Sequence, residues 1–278
     1  MRPARSLSQG CVVLLWLVPA LLAAPPAAAA PRRVVSLNLC TDQLALALAA
    51  PGQLASVTWL ARDPAVSAEW RRAAEIPINH GLAEEVVAQR PDLALAGRHS
   101  ARMAVDLLRR LGVAVVEFAP PGSLDEVRAQ IRQAAAALDR REAGEAAVAE
   151  FDRFLPPEPT APRPLAVVYQ PNGATVGAGS LVDSVLSAAG FDNLATRLAL
   201  DTYGRLPLDV LVAGRPDVLI VNEMRGGPSL AEAMTRHAAL DRYWRNGAAI
   251  EMPQALWICG GPFTTRAVAR LADWRASR

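Results

Sequence analysis

The feature that most constrains the fold is a segment that occurs once in each half of the chain. Residues 84–95 read EEVVAQRPDLAL and residues 209–220 read DVLVAGRPDVLI. Each copy predicts a short helix that begins with an acid, a break at Arg-Pro-Asp where proline ends the helix, and an apolar strand. A chance match is the alternative, but two copies of one supersecondary unit predict two similar lobes.

Strands alternate with helices on both sides of these segments. In the first half, apolar runs at 34–37, 54–59, 92–96 and 113–118 are separated by helical patterns at 41–48, 84–89 and 101–111. The alternation restarts at residue 165 and continues to a closing helix at 264–275. This order predicts α/β lobes with parallel sheets and right-handed crossovers.

A long helical stretch separates the two halves. Ser123 and Glu126 form a capping-box pattern, and a helical sequence interrupted only by Gly144 continues to Leu155, as one long helix or two nearly continuous helices. The proline-rich segment 156–164 then predicts a stiff linker. We therefore expect an N-terminal lobe at 31–122, one bridging helix at 123–155, a C-terminal lobe at 165–278, and a ligand cleft between the lobes.

The first thirty residues have the pattern of an export signal. Arg2 and Arg5 precede an apolar run at 11–22, which is shorter than the roughly 20 residues that span a bilayer. The alanine run that follows predicts cleavage after Ala29. We expect a soluble periplasmic protein of about 250 residues, which is enough chain for two lobes that each bury a core.

Composition and motifs exclude several kinds of function. The chain has 29 basic and 27 acidic residues, for a formal charge of +2, and its basic residues are scattered, so nucleic acid is not an expected partner. No metalloprotease, hydrolase or nucleotide-binding motif is present. The glycine-rich segment 173–179 lacks a phosphate-binding lysine, so we interpret it as a loop that lines a cleft. We predict no catalytic residues, no cofactor and no resident metal.

The candidate ligand contacts are polar and aromatic residues that follow predicted strands, because loops at the carboxyl ends of parallel strands line the crevice. Arginines there suit an anionic ligand, although each candidate can instead be a solvated or core-edge residue. The candidates at strand ends are Asn38, Cys40, Thr41, Trp59, Arg62, Arg98, His99, Tyr169, Gln170, Asn172, Asn222, Glu223, Arg225, Trp257, Cys259 and Gly260. Tyr203 is added as an aromatic residue that can pack a flat ring.

Two cysteines, Cys40 and Cys259, remain after the predicted signal and lie in opposite lobes. The sequence spacing does not decide their state. A disulfide between them would hold the lobes together, and the alternatives are thiolate contact with a ligand metal or two free thiols.

The segment 33–44 (RVVSLNLCTDQL), the copy at 84–93, the long helix and the second copy together resemble the periplasmic substrate-binding proteins of iron-siderophore, haem and cobalamin importers. The resemblance implies two lobes bridged by a rigid helix, with a metal chelate held between them and small lobe movements. It also implies that Glu84 and Asp209 dock against arginines of the permease, although an acid in a first helical turn is favoured by the helix dipole anyway.

This resemblance predicts a monomer that passes a chelate to an ABC importer at the inner membrane. A ferric siderophore is the first expectation because of the cleft arginines, and cobalamin is the second because Trp59, Tyr169, Tyr203 and Trp257 can pack a flat ring. Haem is the third, with His99, His80 or a tyrosine as axial ligand. The alternative from another class is a secreted metal-binding protein or enzyme that uses Cys40, Cys259 and His99.

Overall fold

A computed structural model describes residues 29–157, 162–223 and 234–278. Residues 1–28 of the predicted signal and part of the predicted linker therefore lie outside the described residues. No helix in the described ranges is both long enough and apolar enough to cross a bilayer.

The N-terminal lobe is a parallel sheet with helices between its strands. The strands are β1 (Val34–Ser36), β2 (Leu54–Thr58), β3 (Ile78–Asn79), β4 (Leu93–Gly97) and β5 (Ala114–Phe118). Their order in the sheet is β3-β2-β1-β4-β5, and every pair is parallel. The helices are α1 (Leu39–Leu48), α2 (Ala83–Ala88) and α3 (Arg102–Arg110).

The segment between the lobes holds α4 (Leu124–Ala137) and α5 (Arg141–Phe154). The C-terminal lobe contains β6 (Leu165–Val168), β7 (Ala174–Thr175), β8 (Asp192–Asn193), β9 (Gly204–Arg205), β10 (Val218–Asn222) and β11 (Ala249–Met252). Its helices are α6 (Leu181–Ala188), α7 (Leu194–Arg197), α8 (Leu208–Gly214), α9 (Asp241–Arg245) and α10 (Thr265–Ala276). The parallel sheet has the order β11-β10-β6-β8, and β7 pairs with β9 antiparallel.

The predicted two-lobed α/β fold is confirmed, and the repeated segment forms the same unit in both lobes. Arg90 lies two residues after the end of α2 and leads into β4, while Arg215 directly follows α8 and leads into β10. The two arginines share the left-handed conformation, with φ of 48° and 44°. Each following strand pairs with the first strand of its own lobe, β4 with β1 and β10 with β6.

The prediction of one helix, or of two nearly continuous helices, from 123 to 155 is wrong, because α4 ends at Ala137 and the chain reverses direction before α5. Asp139 takes a positive φ of 56°, which ends the helical path without glycine or proline. Helix α5 then folds back along α4. Arg132 donates to Glu145 at 2.9 Å, and Arg128 donates to Asp152 at 2.6 Å, so the two helices run antiparallel.

Gly144 explains why the two helices pack so closely. A Cβ atom at this position would lie 2.4 Å from the Cβ of Ala135 on α4. Small residues on facing helices therefore allow close backbone approach, and the sequence pattern that looked like continuous helix is a helical hairpin.

One apolar core is shared by both lobes and the hairpin. It includes Leu44 of α1, Ile131 of α4, Phe151 of α5, Val168 of β6 and Leu186 of α6. Separate clusters cover the outer faces of the two sheets. Because side chains alternate across a strand, Val34 faces the shared core and Val35 faces the outer cluster. The lobes are thus joined by continuous packing as well as by the chain.

Candidate functional site

A cavity of about 550 Å³ lies between the lobes, at the edge where the parallel strands end. Ligand sites of parallel sheets lie in the crevice at the carboxyl ends of the strands, which we call the strand-end rule, and the cavity has this position. The residues that line it are Asn38, Cys40, Thr41, Leu44, Gly97, Arg98, His99, Ser100, Phe118, Ala119, Pro120, Pro121, Gly122, Glu126, Gln130, Gln170, Val176, Gly179, Ser180, Leu181, Val182, Thr202, Tyr203, Gln254, Trp257 and Ile258.

Asn38 and Thr41 line the cavity, but their polar atoms organise the loops around it. The Oδ1 of Asn38 accepts from the backbone N of Thr41 at 2.9 Å, which caps α1, and its Nδ2 donates to the hydroxyl of Ser100 at 3.0 Å. A Cβ at Gly97 would lie 2.1 Å from that Nδ2. Asn38 therefore joins the loop after β1 to the loop after β4, which carries the next two residues of the wall.

Arg98 and His99 form the basic part of the wall. Both are exposed and follow the end of β4. The backbone N of Arg98 donates to the carbonyl of Phe118 at 2.8 Å, which fixes the loop to the end of β5. Among the residues that the structure describes, neither side chain makes a hydrogen bond or an ion pair. Their charged or polar ends are therefore available to a ligand.

Tyr203 and Gln170 supply the polar part of the opposite wall. Tyr203 is 76% exposed, and within the described ranges its hydroxyl is not hydrogen-bonded. Val176 and Gly179 from the predicted glycine-rich loop lie beside them in the lining. An aromatic ring with this much solvent exposure suits contact with a flat ligand, because binding removes apolar area of both the ring and the ligand from water.

Much of the remaining lining is apolar. Trp257 is only 3% exposed and belongs to the shared core, and Leu44, Phe118, Pro121 and other apolar side chains complete the surface. Cys40 also lines the cavity and forms a disulfide with Cys259 of the other lobe, with a Cα–Cα distance of 5.2 Å. Of the three states considered for the cysteines, the structure shows the disulfide.

Glu126 and Gln130 line the cavity from α4 and were missed by sequence reasoning. The Glu126 carboxylate accepts from the backbone N of Gly122 at 2.7 Å, and the Gln130 amide donates to the carbonyl of Ala119. Both side chains hold the loop after β5 against the start of α4. The available signal was the capping box, because a helix that starts directly after a strand end must begin at the cleft.

Two predicted contacts, Tyr169 and Arg62, lie away from the cavity. Tyr169 is fully buried in the outer cluster of the C-terminal lobe, since it alternates in side with Val168, and burial raises the pKa of its phenol. The Arg62 guanidinium donates to the carbonyls of Ala73 and Ile76 at 3.1 and 2.6 Å. It therefore closes a loop of its own lobe.

The other predicted contact residues described below also lie outside the cavity lining. Trp59 is 51% exposed and outside the cavity lining, and Asn172 occupies an exposed left-handed turn position. A Cβ at Gly260 would lie 2.7 Å from Pro121 and from Val127, so this glycine allows close packing. Cys259, Asn222 and Glu223 also lie outside the lining, and Arg225 lies outside the described residues.

The metal-binding alternative loses two of its three proposed ligands, the cysteines. Cys40 and Cys259 are joined to each other, and disulfide sulfurs are not the thiolates that bind metals. In the ranges that the structure describes, no group of three or more His, Cys, Asp or Glu side chains is arranged to hold a metal ion.

Glu84 and Asp209 occupy equivalent places in the two lobes. Each lies in the first turn of its helix, α2 or α8, and each is exposed. Neither carboxylate has a partner among the described residues. Because each helix runs back to a strand of the parallel sheet, both acids lie on the side of their lobe where strands end, which is the side of the cleft mouth.

One ionisable group near the cavity is fully buried. Asp42 of α1 accepts hydrogen bonds from the backbone N of Thr58 at 3.0 Å and from the Thr58 hydroxyl. Burial raises the pKa of its carboxyl from 3.8 to about 6, and the bonds from Thr58 oppose that rise only in part. Asp42 thus ties α1 to the end of β2 beneath the cavity wall.

The comparisons with known proteins agree with this geometry. A cobalamin-binding protein of Halobacterium salinarum is 30% identical over 146 residues, which are 49% of this chain and 39% of that protein. The chain thus matches about two-fifths of that relative's length.

Among solved structures, the haem-binding protein RhuT of Roseiflexus sp. RS-1 has a TM-score of 0.70 at 22% identity, covering 87% of this chain and 97% of that one. The vitamin B12 binding protein BtuF of Vibrio cholerae has a TM-score of 0.67 at 17% identity, covering 88% and 96%. These similarities support the same fold. The model of the periplasmic binding protein family matches residues 34–250, so this chain belongs to the periplasmic binding protein family.

Proposed function

We propose that this protein binds a metal chelate between its lobes and delivers it, chemically unchanged, to an ABC importer. The observation that carries the proposal is the cavity at the strand ends, which takes its lining from both lobes and from α4. Its volume falls in the range of small-molecule sites, and its lining combines apolar walls with a few polar groups.

The lining favours a corrinoid over a ferric siderophore. The siderophore expectation depended on several arginines in the cleft. Arg62, however, donates hydrogen bonds within its own lobe, and Arg98 is the only arginine among the described residues of the lining. Of the aromatic residues expected to pack against a corrinoid ring, Tyr203 and Trp257 line the cavity. A largely apolar cavity with one guanidinium suits a large, weakly charged ring, and a curated relative is a cobalamin-binding protein.

Haem is the second candidate, because one specific observation favours it. His99 and Tyr203 line the cavity from opposite lobes, and neither is hydrogen-bonded to another described residue. Imidazole and phenolate are both known axial ligands of haem iron, and Arg98 would pair with a propionate. Haem therefore uses the same walls with different polar contacts.

Glu84 and Asp209 complete the proposal as docking residues. They are exposed acids in matching positions on the cleft side of the two lobes, and neither is paired with another described residue. Two carboxylates that bind two permease arginines would fix the orientation of the complex over the translocation path. The aspartate has a shorter side chain than Glu84, so the partner arginine must approach the C-terminal lobe more closely.

A binding screen tests the function directly. Protein comprising residues 31–278 is titrated with cyanocobalamin, haem, a ferric hydroxamate and a ferric catecholate, with calorimetry and tryptophan quenching as readouts. We expect saturable one-to-one binding of cyanocobalamin at micromolar or tighter affinity, with haem next. Binding of the siderophores alone would overturn the corrinoid assignment, and failure of all four would overturn chelate capture.

A further inference from the structure

The Cys40–Cys259 disulfide lies at the boundary between the lobes and beside the cavity. Cys40 is the second residue of α1 in the N-terminal lobe, and Cys259 follows the short 3-10 helix Gln254–Leu256 in the C-terminal lobe. Their separation in sequence is 219 residues. The bond therefore adds one covalent contact between two lobes that are also joined by the helical hairpin and by the shared apolar core.

Each cysteine is anchored to a different wall of the cavity. On one side, Asn38 caps the helix that carries Cys40 and bonds to Ser100, next to Arg98 and His99. On the other side, Trp257 of the cavity lining lies two residues before Cys259. The disulfide consequently fixes the basic wall relative to the tryptophan wall.

We propose that the Cys40–Cys259 disulfide is a positioning element of the ligand cavity, which holds the two walls at the separation that retains the chelate. The proposal rests on the proposed function. A site whose walls are already fixed loses less conformational freedom on binding, and therefore binds more tightly. Without the bond, the walls fluctuate, and the bound chelate dissociates faster.

The two sulfurs differ in access. Cys40 is half-buried and lines the cavity, whereas Cys259 is 1% exposed. A thiolate from a dithiol reagent therefore attacks the Cys40 sulfur through the cavity, the S–S bond breaks, and Cys259 leaves as a thiolate that is then protonated. The second thiol of the reagent closes its own disulfide and releases Cys40. A chelate in the cavity must shield Cys40, so ligand slows this reduction.

The first experiment compares one protein in three states: oxidised, reduced with dithiothreitol, and reoxidised. Cyanocobalamin is the probe, or haem if the screen selects it, and stopped-flow displacement measures dissociation. We expect dissociation to be about tenfold faster after reduction and to return to the original rate after reoxidation. The variant C40S/C259S is the control, and its rate should be fast with or without dithiothreitol. An unchanged rate in reduced, folded protein would overturn the proposal.

The second experiment does not need a folded reduced state. The oxidised protein is treated with limiting dithiothreitol, with and without saturating chelate, and free thiols are counted over time. We expect at least about fivefold slower reduction with ligand bound, since reaction requires access to the sulfur. Equal rates would mean that Cys40 is not covered by the ligand and would contradict its place in the binding wall.

A ligand-free readout separates this proposal from the proposed function. Hydrogen exchange is measured in peptides that cover residues 38–48 and 254–261, in oxidised and reduced protein. Faster exchange in both peptides after reduction supports wall positioning even if every chelate fails to bind. Unchanged exchange in both would overturn it, whatever the screen shows.

Discussion

Asp92 and Asp217 make equivalent hydrogen bonds in opposite lobes, each to the backbone at the start of the first strand. The Asp92 carboxylate accepts from the backbone N of Arg32 and of Arg33, at 2.7 and 3.0 Å, at the start of β1. The Asp217 carboxylate accepts from the backbone N of Leu165 at 2.8 Å, at the start of β6. The repeated Arg-Pro-Asp segment therefore serves to attach each lobe's first strand to its neighbour.

This equivalence predicts similar losses of stability. Asp92→Ala and Asp217→Ala should each lower the free energy of unfolding by about 1 kcal/mol, because each removes a charge-assisted hydrogen bond. Asp92→Ala should have the larger effect, since it removes two bonds. Urea unfolding checks both, with the exposed Asp106→Ala on α3 as the control. A variant as stable as the control would show that its aspartate does not hold the strand.

The buried Asp42 carboxyl predicts a specific pH dependence. Its pKa is about 6 in the folded protein against 3.8 in the unfolded chain, so the folded state binds the proton more tightly. This group therefore contributes stability fully below about pH 4 and loses it as the pH rises through 6, by about 3 kcal/mol in total.

Asp42→Asn removes that loss. The stability of the variant relative to the unmodified protein should rise by up to about 3 kcal/mol between pH 4 and pH 7. Urea unfolding at several pH values measures the difference, and Asp106→Asn controls for the removal of one exposed charge. A constant difference across this range would show that Asp42 does not titrate there.

The helical hairpin predicts a steric effect at Gly144. Gly144→Val should destabilise the protein by about 2 kcal/mol, because its side chain would push against Ala135 of α4. The matched control is Ala146→Val, at an exposed position of the same helix, where only helix propensity changes and the cost is about 0.5 kcal/mol. Thermal unfolding compares the two. Equal costs would argue against the close approach of α4 and α5.

The sequence predicted the lobes better than the connection between them. The Arg-Pro-Asp copies and the alternation of strands and helices were sufficient for two parallel-sheet lobes. The turn at Asp139 was not predictable in the same way, because it uses a residue type that helices also tolerate. The close approach at Gly144 depends on a partner, Ala135, that only the folded chain identifies.

For the cavity, the strand-end rule found Asn38, Arg98, His99, Gln170 and Trp257. It failed for Tyr169, because a residue at the last position of a strand can point to either face of the sheet. It also missed Glu126 and Gln130, which come from a helix. The disulfide was not predictable, since a separation of 219 residues carries no information on pairing.

Arg98 distinguishes charged from uncharged ligands. Arg98→Ala should weaken binding of an anionic ferric siderophore or of haem by about tenfold or more, because it removes a charge-assisted contact. Cyanocobalamin, which carries no net charge, should change by less than about threefold. Calorimetry measures both, and the exposed Arg102→Ala on α3, outside the lining, is the control. A large loss for cyanocobalamin would show that Arg98 contacts a polar group of the corrinoid.

The docking acids predict a separation of binding from transport. The double variant with Glu84→Ala and Asp209→Ala should bind chelate with unchanged affinity, because neither residue lines the cavity. Uptake by cells that carry only this variant should be abolished. The double variant Glu142→Ala and Asp106→Ala removes two other exposed acids and should import normally. Normal uptake by the first variant would contradict the docking role.

The most direct test of chelate capture between the lobes is a comparison of two exposed aromatic residues by calorimetric titration with cyanocobalamin. Tyr203 lines the cavity and Trp59 does not. Tyr203→Ala should weaken binding by about five- to tenfold, the loss expected for one aromatic contact, while Trp59→Ala should bind like the unmodified protein. Unchanged binding by Tyr203→Ala together with a loss in Trp59→Ala would place the ligand outside the cleft and contradict the account.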